Sequence, residues 1–390
     1  MSDARFDFLS ATLYLPDSRD PGVDTARVEV PLDDLTPAAR LIWVHESLHF
    51  WQLFSSSYLA KLVSEDWQRL VDFEESGEVD LERPLVASYR DAGKAPFSTQ
   101  SLLEGLTRYW ELYLGADTSA FAADAFDGPV FADAARLESW DRAMTSGADA
   151  QVYAPPYLWA LRLDGVDRLL LASCFPILAH YALGSDNPVA VFCTGLQRAM
   201  ESTAVARCCQ QWSDQGVGNW LSLWQTVVAE AAMPAVMAAG GARFSSGLDL
   251  MERGVLRSHP IYREYAEQIA ALGESLKQQT AQDQTEMALL EMACHDQWLV
   301  FALPGLDVYH RLLNAYVQPP LAVFANGYSV AAARPAALRL RESRAGVSQV
   351  AEDYRARSED LNQRLLRFRR AEMARMMGLS SGWLTRSSTD

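Results

Sequence analysis

Positive charge is in short supply. The 390 residues include 34 Lys plus Arg against 50 Asp plus Glu, a net charge of −16. That balance excludes general binding to nucleic acid or to an anionic membrane surface, since both need a positive field. Long apolar runs are missing as well, and no stretch reaches the roughly 18 residues that a membrane span needs. The nearest, residues 227–242, is interrupted by Glu230, Pro234 and the pair Gly240 and Gly241, and reads as a buried helix. Cysteine is sparse: Cys174, Cys193, Cys208, Cys209 and Cys294 are an odd number with no Cys-x-x-Cys spacing. They read as reduced core thiols, which excludes a disulfide frame or a zinc knuckle. The first residues, Met1 to Arg5, carry no basic-then-apolar leader, so a cytoplasmic protein is expected. Walker loops and Gly-x-Gly-x-x-Gly runs are absent too. Histidine is scarce, six in the whole chain, so its placement carries information.

What is present is enough apolar sequence, 49%, to bury a large core. Strand signals are confined to the first 35 residues. Residues 6–15 mix aromatics, Thr and Leu, residues 26–32 alternate at Val28, Val30 and Leu32, and the Pro- and Asp-rich stretch between them predicts a hairpin. From Thr36 and Pro37, an N-cap followed by a first-turn proline, the pattern turns helical. Residues 38–62, free of Pro and Gly, read as one long helix or two, and residues 76–97 as a surface loop. Helical patterns recur at 98–115, 157–183, 188–212, 219–239, 262–279, 284–303 and 306–316. The expected fold is therefore mainly α, with a small N-terminal β-hairpin (1–35), a helical metal-binding catalytic domain (36–330) and an Arg-rich C-terminal helical segment (331–390). From Arg334 onward there are 12 Arg against 7 acidic residues. That segment reads as a solvated helix with Glu/Arg pairs one turn apart, as one docking on the acidic remainder of the chain, or as an arm for an acidic partner.

The scarce histidines meet in His45-Glu46-Ser47-Leu48-His49. On a helix, positions i and i+4 lie on one face a turn apart, so two imidazoles there can reach one ion. Glu46 points slightly aside, where it can take a proton from a bound water without occupying a coordination position. A chance match is on the order of one in a hundred. The flanking Leu41, Ile42, Trp43, Val44, Leu48, Phe50 and Trp51 mark a buried helix, in which two unpartnered histidines would be costly. A third ligand is needed, with one position left open. Glu104 is the first candidate, although Ser101 and Glu104 also fit a capping box, and Glu201 is its rival. Gln52, one turn after His49, is placed to orient a ligand.

The two segments together, His45-Glu46-x-x-His49-x-Trp51 and Glu104-Gly105-x-x-x-Tyr109-x-Glu111, resemble the gluzincin metallopeptidases, above all their aminopeptidase-type branch. The resemblance implies His45, His49 and Glu104 as zinc ligands and Glu46 as general base. It also implies a sheet ahead of the motif helix whose edge strand pairs with a peptide substrate.

The expected function is hydrolysis of a peptide or amide bond by a metal-activated water. The alternative is a mononuclear non-heme iron oxygenase, which uses the same two histidines and one carboxylate. Arg108, one turn after Glu104, would then clamp the carboxylate of a 2-oxo acid; its other reading is a plain salt bridge to Glu104 or Glu111. Zn2+ stands first as the ion and Fe2+ second. Tyr309 and His310 form a pair of the kind that stabilises an oxyanion. A small-molecule or peptide substrate is expected, with neither nucleic acid nor membrane as partner.

Overall fold

The computed structural model describes residues 5–15, 45–46, 48–50, 52–53, 56–79, 95–115, 131, 133–215, 220–239, 254–263, 321–324, 329–331 and 344–377. The described chain is mainly helical, with one small sheet. No described helix is long and apolar enough to cross a membrane.

The hairpin forms earlier in the chain than its pattern predicts. Residues 6–15 are folded in two: β1 (Arg5–Asp7) pairs antiparallel with β2 (Thr12–Leu15), Phe6 opposite Leu13. The cause is Asp7. Its Oδ1 accepts the N–H groups of Leu9 at 3.1 Å and Ser10 at 3.0 Å, a turn that aspartate makes with its own backbone. Ala11 completes it at φ 50°. The expected partner, residues 26–32, lies outside the described residues.

Two further strands come from far downstream. β3 (Leu321–Phe324) pairs parallel with β2, Leu13 beside Ala322, and β4 (Ser329–Ala331) pairs antiparallel with β3. The order is β1-β2-β3-β4, so β1 is an edge among the described strands. The sheet draws on all three segments expected from the sequence, and the boundary at 330 falls inside β4.

Residues 38–62 do not form one helix. Ser56 is extended, and its Oγ accepts the N–H of Leu59 to start α1 (Ser57–Ser76), which ends at Gly77 in the left-handed region, φ 72°. α2 (Thr99–Gly115) begins at Ser98, whose Oγ accepts the Ser101 N–H at 3.0 Å. Ser98 is therefore the cap, Ser101 lies inside the helix, and Glu104 is not tied to the helix start.

α3 (Ala134–Thr145) and α4 (Ala150–Tyr153) are helices that the apolar pattern did not predict. The expected helix 157–183 is split into α5 (Pro155–Leu161) and α6 (Arg168–Leu183), with Gly165 at φ 77° and the cap Asp167 between them. The next is split at Ser202 into α7 (Pro188–Glu201) and α8 (Thr203–Gln215). α6 is buried on every side from Leu170 to Leu183 and forms the centre of the core. α9 (Trp220–Val227) and α10 (Met233–Ala238) are joined by one π turn at Val228–Ala232, in which the Met233 N–H reaches the Val228 carbonyl. Pro234 has no N–H to offer the preceding turn, and the widened turn accommodates it. The patterns at 284–303 and 306–316 lie outside the described residues, as does 262–279 apart from Tyr262 and Arg263.

The Arg-rich segment forms α11 (Arg344–Met376), which docks on the same core. Leu361, Leu365, Phe368 and Ala371 are buried in it. Arg364 makes a two-pronged bond to Glu74, both arms 2.6 Å, Arg369 reaches Asp7 at 2.9 Å, and Glu372 receives Arg69 at 3.0 Å. For Arg364 and Arg369, then, the acidic partner is the chain's own body.

His259 fastens this corner. Its Nε2–H donates to the Leu9 carbonyl at 2.8 Å, and its Nδ1 accepts the N–H groups of Ile261 and Tyr262, both at 3.2 Å. Protonation at Nδ1 would set a proton against two donors. Burial, with a smaller push from Arg364, outweighs the Leu9 carbonyl and brings the ring from 6.5 down to about 4. Burial pushes His180 down likewise, to about 3. Above pH 6.5 both rings are neutral, folded or unfolded, and this stability is whole. As pH falls toward 4 only the unfolded chain takes up the protons, so stability is lost, on the order of 3 kcal/mol for His259. His259→Phe is expected to shrink the loss of unfolding free energy between pH 7 and pH 4.5 in urea melts, whatever it costs at pH 7. An unchanged loss would place the acid sensitivity elsewhere.

Candidate metal centre

His45, Glu46, Leu48, His49, Phe50, Gln52 and Leu53 all carry helical backbone, and Leu48, Phe50 and Leu53 are buried. Opposite them runs α2, where Glu104, Arg108 and Glu111 follow one another at i, i+4 and i+7 along one face. α2 lies close to α4 and α6 because Gly105 has no side chain: a Cβ there would stand 3.0 Å from the Tyr153 carbonyl. The glycine after Glu104 therefore has a packing role.

Glu104 Oε2 lies 3.3 Å from Nε2 of His45 and 3.3 Å from Nε2 of His49. Two donors each about 2.0–2.1 Å from a tetrahedral ion stand about 3.3 Å apart. The three ligating atoms lie within 4.8 Å of one another, the single such group among the described residues. The other ring nitrogens are held from behind. His45 Nδ1 faces Glu111 Oε2 at 3.0 Å, and His49 Nδ1 faces Gln52 Oε1 at 2.9 Å, with Thr107 Oγ1 at 3.4 Å. Gln52 in turn donates from Nε2 to the Leu103 carbonyl at 3.1 Å, which fixes its amide with the oxygen toward His49. Both rings are thus arranged to donate from Nδ1 and to leave Nε2 toward Glu104, the tautomer that ligation by Nε2 requires.

The cluster is strongly coupled electrostatically. Burial works to push the His45 imidazolium down, yet the hydrogen bonds and charges of Glu104 and Glu111 outweigh it and lift the ring to about 10. His49 is raised as well: burial lowers it, and the charge of Glu104 overrides that. Glu104 and Glu111 are held below the usual carboxylate range, because the histidines, and for Glu111 also Arg108, outweigh burial. With neutral imidazoles, the three carboxylates of Glu46, Glu104 and Glu111 and the guanidinium of Arg108 leave two negative charges in a largely buried site. Two protons or one divalent ion offset them, and the donor set of two imidazoles and a carboxylate fits the ion.

Glu46 is 8% exposed and belongs to this cluster without bridging the histidines. Burial raises its carboxyl, partly offset by the two histidines and by the Phe6 N–H of β1, which donates to it. The hairpin also brings the Phe8 ring to 6.3 Å from His49.

The other expected residues fare differently. Glu201 is exposed at the end of α7 and is not brought to the histidines. Arg108 is engaged rather than open to a ligand: Nη1 donates to Glu111 Oε1 at 2.8 Å, Nη2 to the Ala143 carbonyl at 3.3 Å, and the group stands 5.1 Å from the Tyr153 ring centre. Tyr309 and His310 lie outside the described residues. Sequence reasoning missed Glu111 as the partner of His45, and its one signal was a second glutamate seven residues after Glu104 on the same helix face. Comparison of the chain with protein-family models, with curated proteins and with solved structures found no match.

Proposed function

We propose that this chain is a metal-dependent hydrolase of peptide or amide bonds, with His45 Nε2, His49 Nε2 and Glu104 of α2 as ligands. The observation that carries the reading is the pair of 3.3 Å approaches to Glu104 by imidazoles whose Nδ1 atoms are already held. When bound, a divalent ion supplies Lewis acidity, lowering the pKa of a water and polarising the scissile carbonyl. Glu46 would serve as the base that takes a proton from the attacking water and returns it to the leaving amine. Its burial favours this role, since a carboxylate raised toward neutrality both accepts and returns a proton. The likeness to the gluzincin motifs supports the same roles.

The iron-oxygenase alternative uses the same three ligands, but the arginine that would clamp its cosubstrate is bound to Glu111 and the Ala143 carbonyl. The discriminating experiment is elemental analysis of protein purified without added metal, followed by peptide and amide turnover with Zn2+ and oxygen uptake with Fe2+ and a 2-oxo acid. The expected result is about one ion per chain and zinc-supported hydrolysis without oxygen uptake. Oxygen uptake coupled to product, lost when zinc replaces iron, would transfer the ligands to the oxygenase.

A further inference from the structure

We infer that Arg108 is a positioning residue of this centre, acting through Glu111 to fix the imidazole of His45. The inference rests on the metal reading above.

The two histidines are held in unlike ways. Gln52 holds His49 as a neutral amide anchored on the Leu103 carbonyl. Glu111 holds His45 as an anion, and that carboxylate is itself divided: Oε2 faces His45 Nδ1 at 3.0 Å and Oε1 receives Arg108 Nη1 at 2.8 Å. An anionic acceptor on Nδ1 makes Nε2 the more basic donor, so His45 is the stronger of the two ligands. That gain depends on the orientation of Glu111. Left to itself, the Glu111 carboxylate would be free to turn about its last bond. Arg108 prevents this, since Nη1 holds Oε1 at 2.8 Å while the rest of the guanidinium is fixed by other helices.

Arg108 is in turn held from two other helices. Nη2 donates to the Ala143 carbonyl of α3, and the Tyr153 ring of α4 lies against the guanidinium. Tyr153 is set by its hydroxyl, which donates to the Ser146 carbonyl. Gly147, at φ 131°, leaves room for that hydroxyl, because a Cβ there would collide with it. The relay thus runs from the turn after α3, through Arg108 and Glu111, to the proposed ligand. Lysine in place of Arg108 would keep the charge but reach one acceptor at a time.

The test is zinc affinity by chelator competition on the full chain, for wild type, Glu111→Gln, Arg108→Met, Arg108→Lys and the double variant Glu111→Gln with Arg108→Met. Cobalt absorption reports the ligand geometry, and thermal melts report folding. Loss of such a supporting contact typically weakens metal binding about 10–100-fold. Glu111→Gln is expected in that range, Arg108→Met near it, and the double variant no weaker than Glu111→Gln alone, because both changes break one relay. Arg108→Lys is expected to fall between wild type and Arg108→Met, and the cobalt bands to shift alike in Glu111→Gln and Arg108→Met. Should Arg108→Met fail to fold, the lysine and glutamine variants decide by the same comparison. Wild-type affinity in the Arg108 variants, or losses that multiply in the double variant, would overturn the relay while leaving the ligands in place. A wild-type chain that binds no zinc would overturn the metal reading and the relay with it.

Discussion

Alanine at His45, His49 or Glu104 is expected to abolish stoichiometric binding of a divalent metal. Each substitution removes one of three proposed ligands and leaves only two. Protein zinc sites gain about 10–16 kcal/mol from their full set, so one ligand in three represents an affinity change of roughly 10²–10⁴-fold. Glu111→Ala should fall well short of this, since Glu111 faces a ring nitrogen of His45 rather than the shared Glu104 oxygen. His259→Ala gives the contrast. Its ring is committed to Leu9, Ile261 and Tyr262, so it should lose stability and keep its metal. Elemental analysis of purified, folded variants decides the matter, and undiminished metal in both motif histidine variants would remove the basis of the proposed function.

Glu46→Gln is expected to keep the metal and lose about 10²–10⁴-fold in turnover, the usual contribution of a positioned general base. The amide has nearly the shape of the carboxylate and can still accept the Phe6 N–H, so the site should survive while proton transfer does not. It also removes one negative charge from the cluster, which should leave affinity for the ion little changed beside the loss of rate. The measurement is the kcat of Glu46→Gln and wild type at equal metal occupancy, across pH. Turnover near the wild-type level would assign the base to another group. Loss of the ion together with the rate would show Glu46 to be a ligand.

What the sequence reveals of this centre is geometry that is local along the chain. His45 and His49 are four residues apart, and the periodicity of a helix puts both on one face whatever surrounds it. Glu104, Arg108 and Glu111 share a face of α2 for the same reason. That logic ran out where two elements had to be brought together. The plain salt bridge of Arg108 to Glu111, an i, i+3 contact, was within its reach, but it could not say that Arg108 would also meet the Ala143 carbonyl, or that Ser98 rather than Ser101 would cap α2 and leave Glu104 to the histidines.

Other parts of the fold were hidden for related reasons. Helix ends at Ser56, Gly165 and Ser202 are set by single capping or left-handed positions inside apolar stretches, which periodicity does not register. The turn at Asp7 is made by one carboxylate accepting two N–H groups, within a run whose composition reads as continuous strand.

Composition, scarcity and period thus suffice for a mainly helical chain with a two-histidine motif and a carboxylate candidate, because those properties arise within a few turns of one element. The parallel pairing of β2 with β3 joins residues about 300 positions apart, and α11 closes on α1 and the hairpin through Arg364, Arg369 and Phe368. Such contacts depend on which surfaces the packed core leaves adjacent, and no local spacing encodes that. The same packing sets Glu104 at equal distance from both imidazoles and passes over the exposed Glu201.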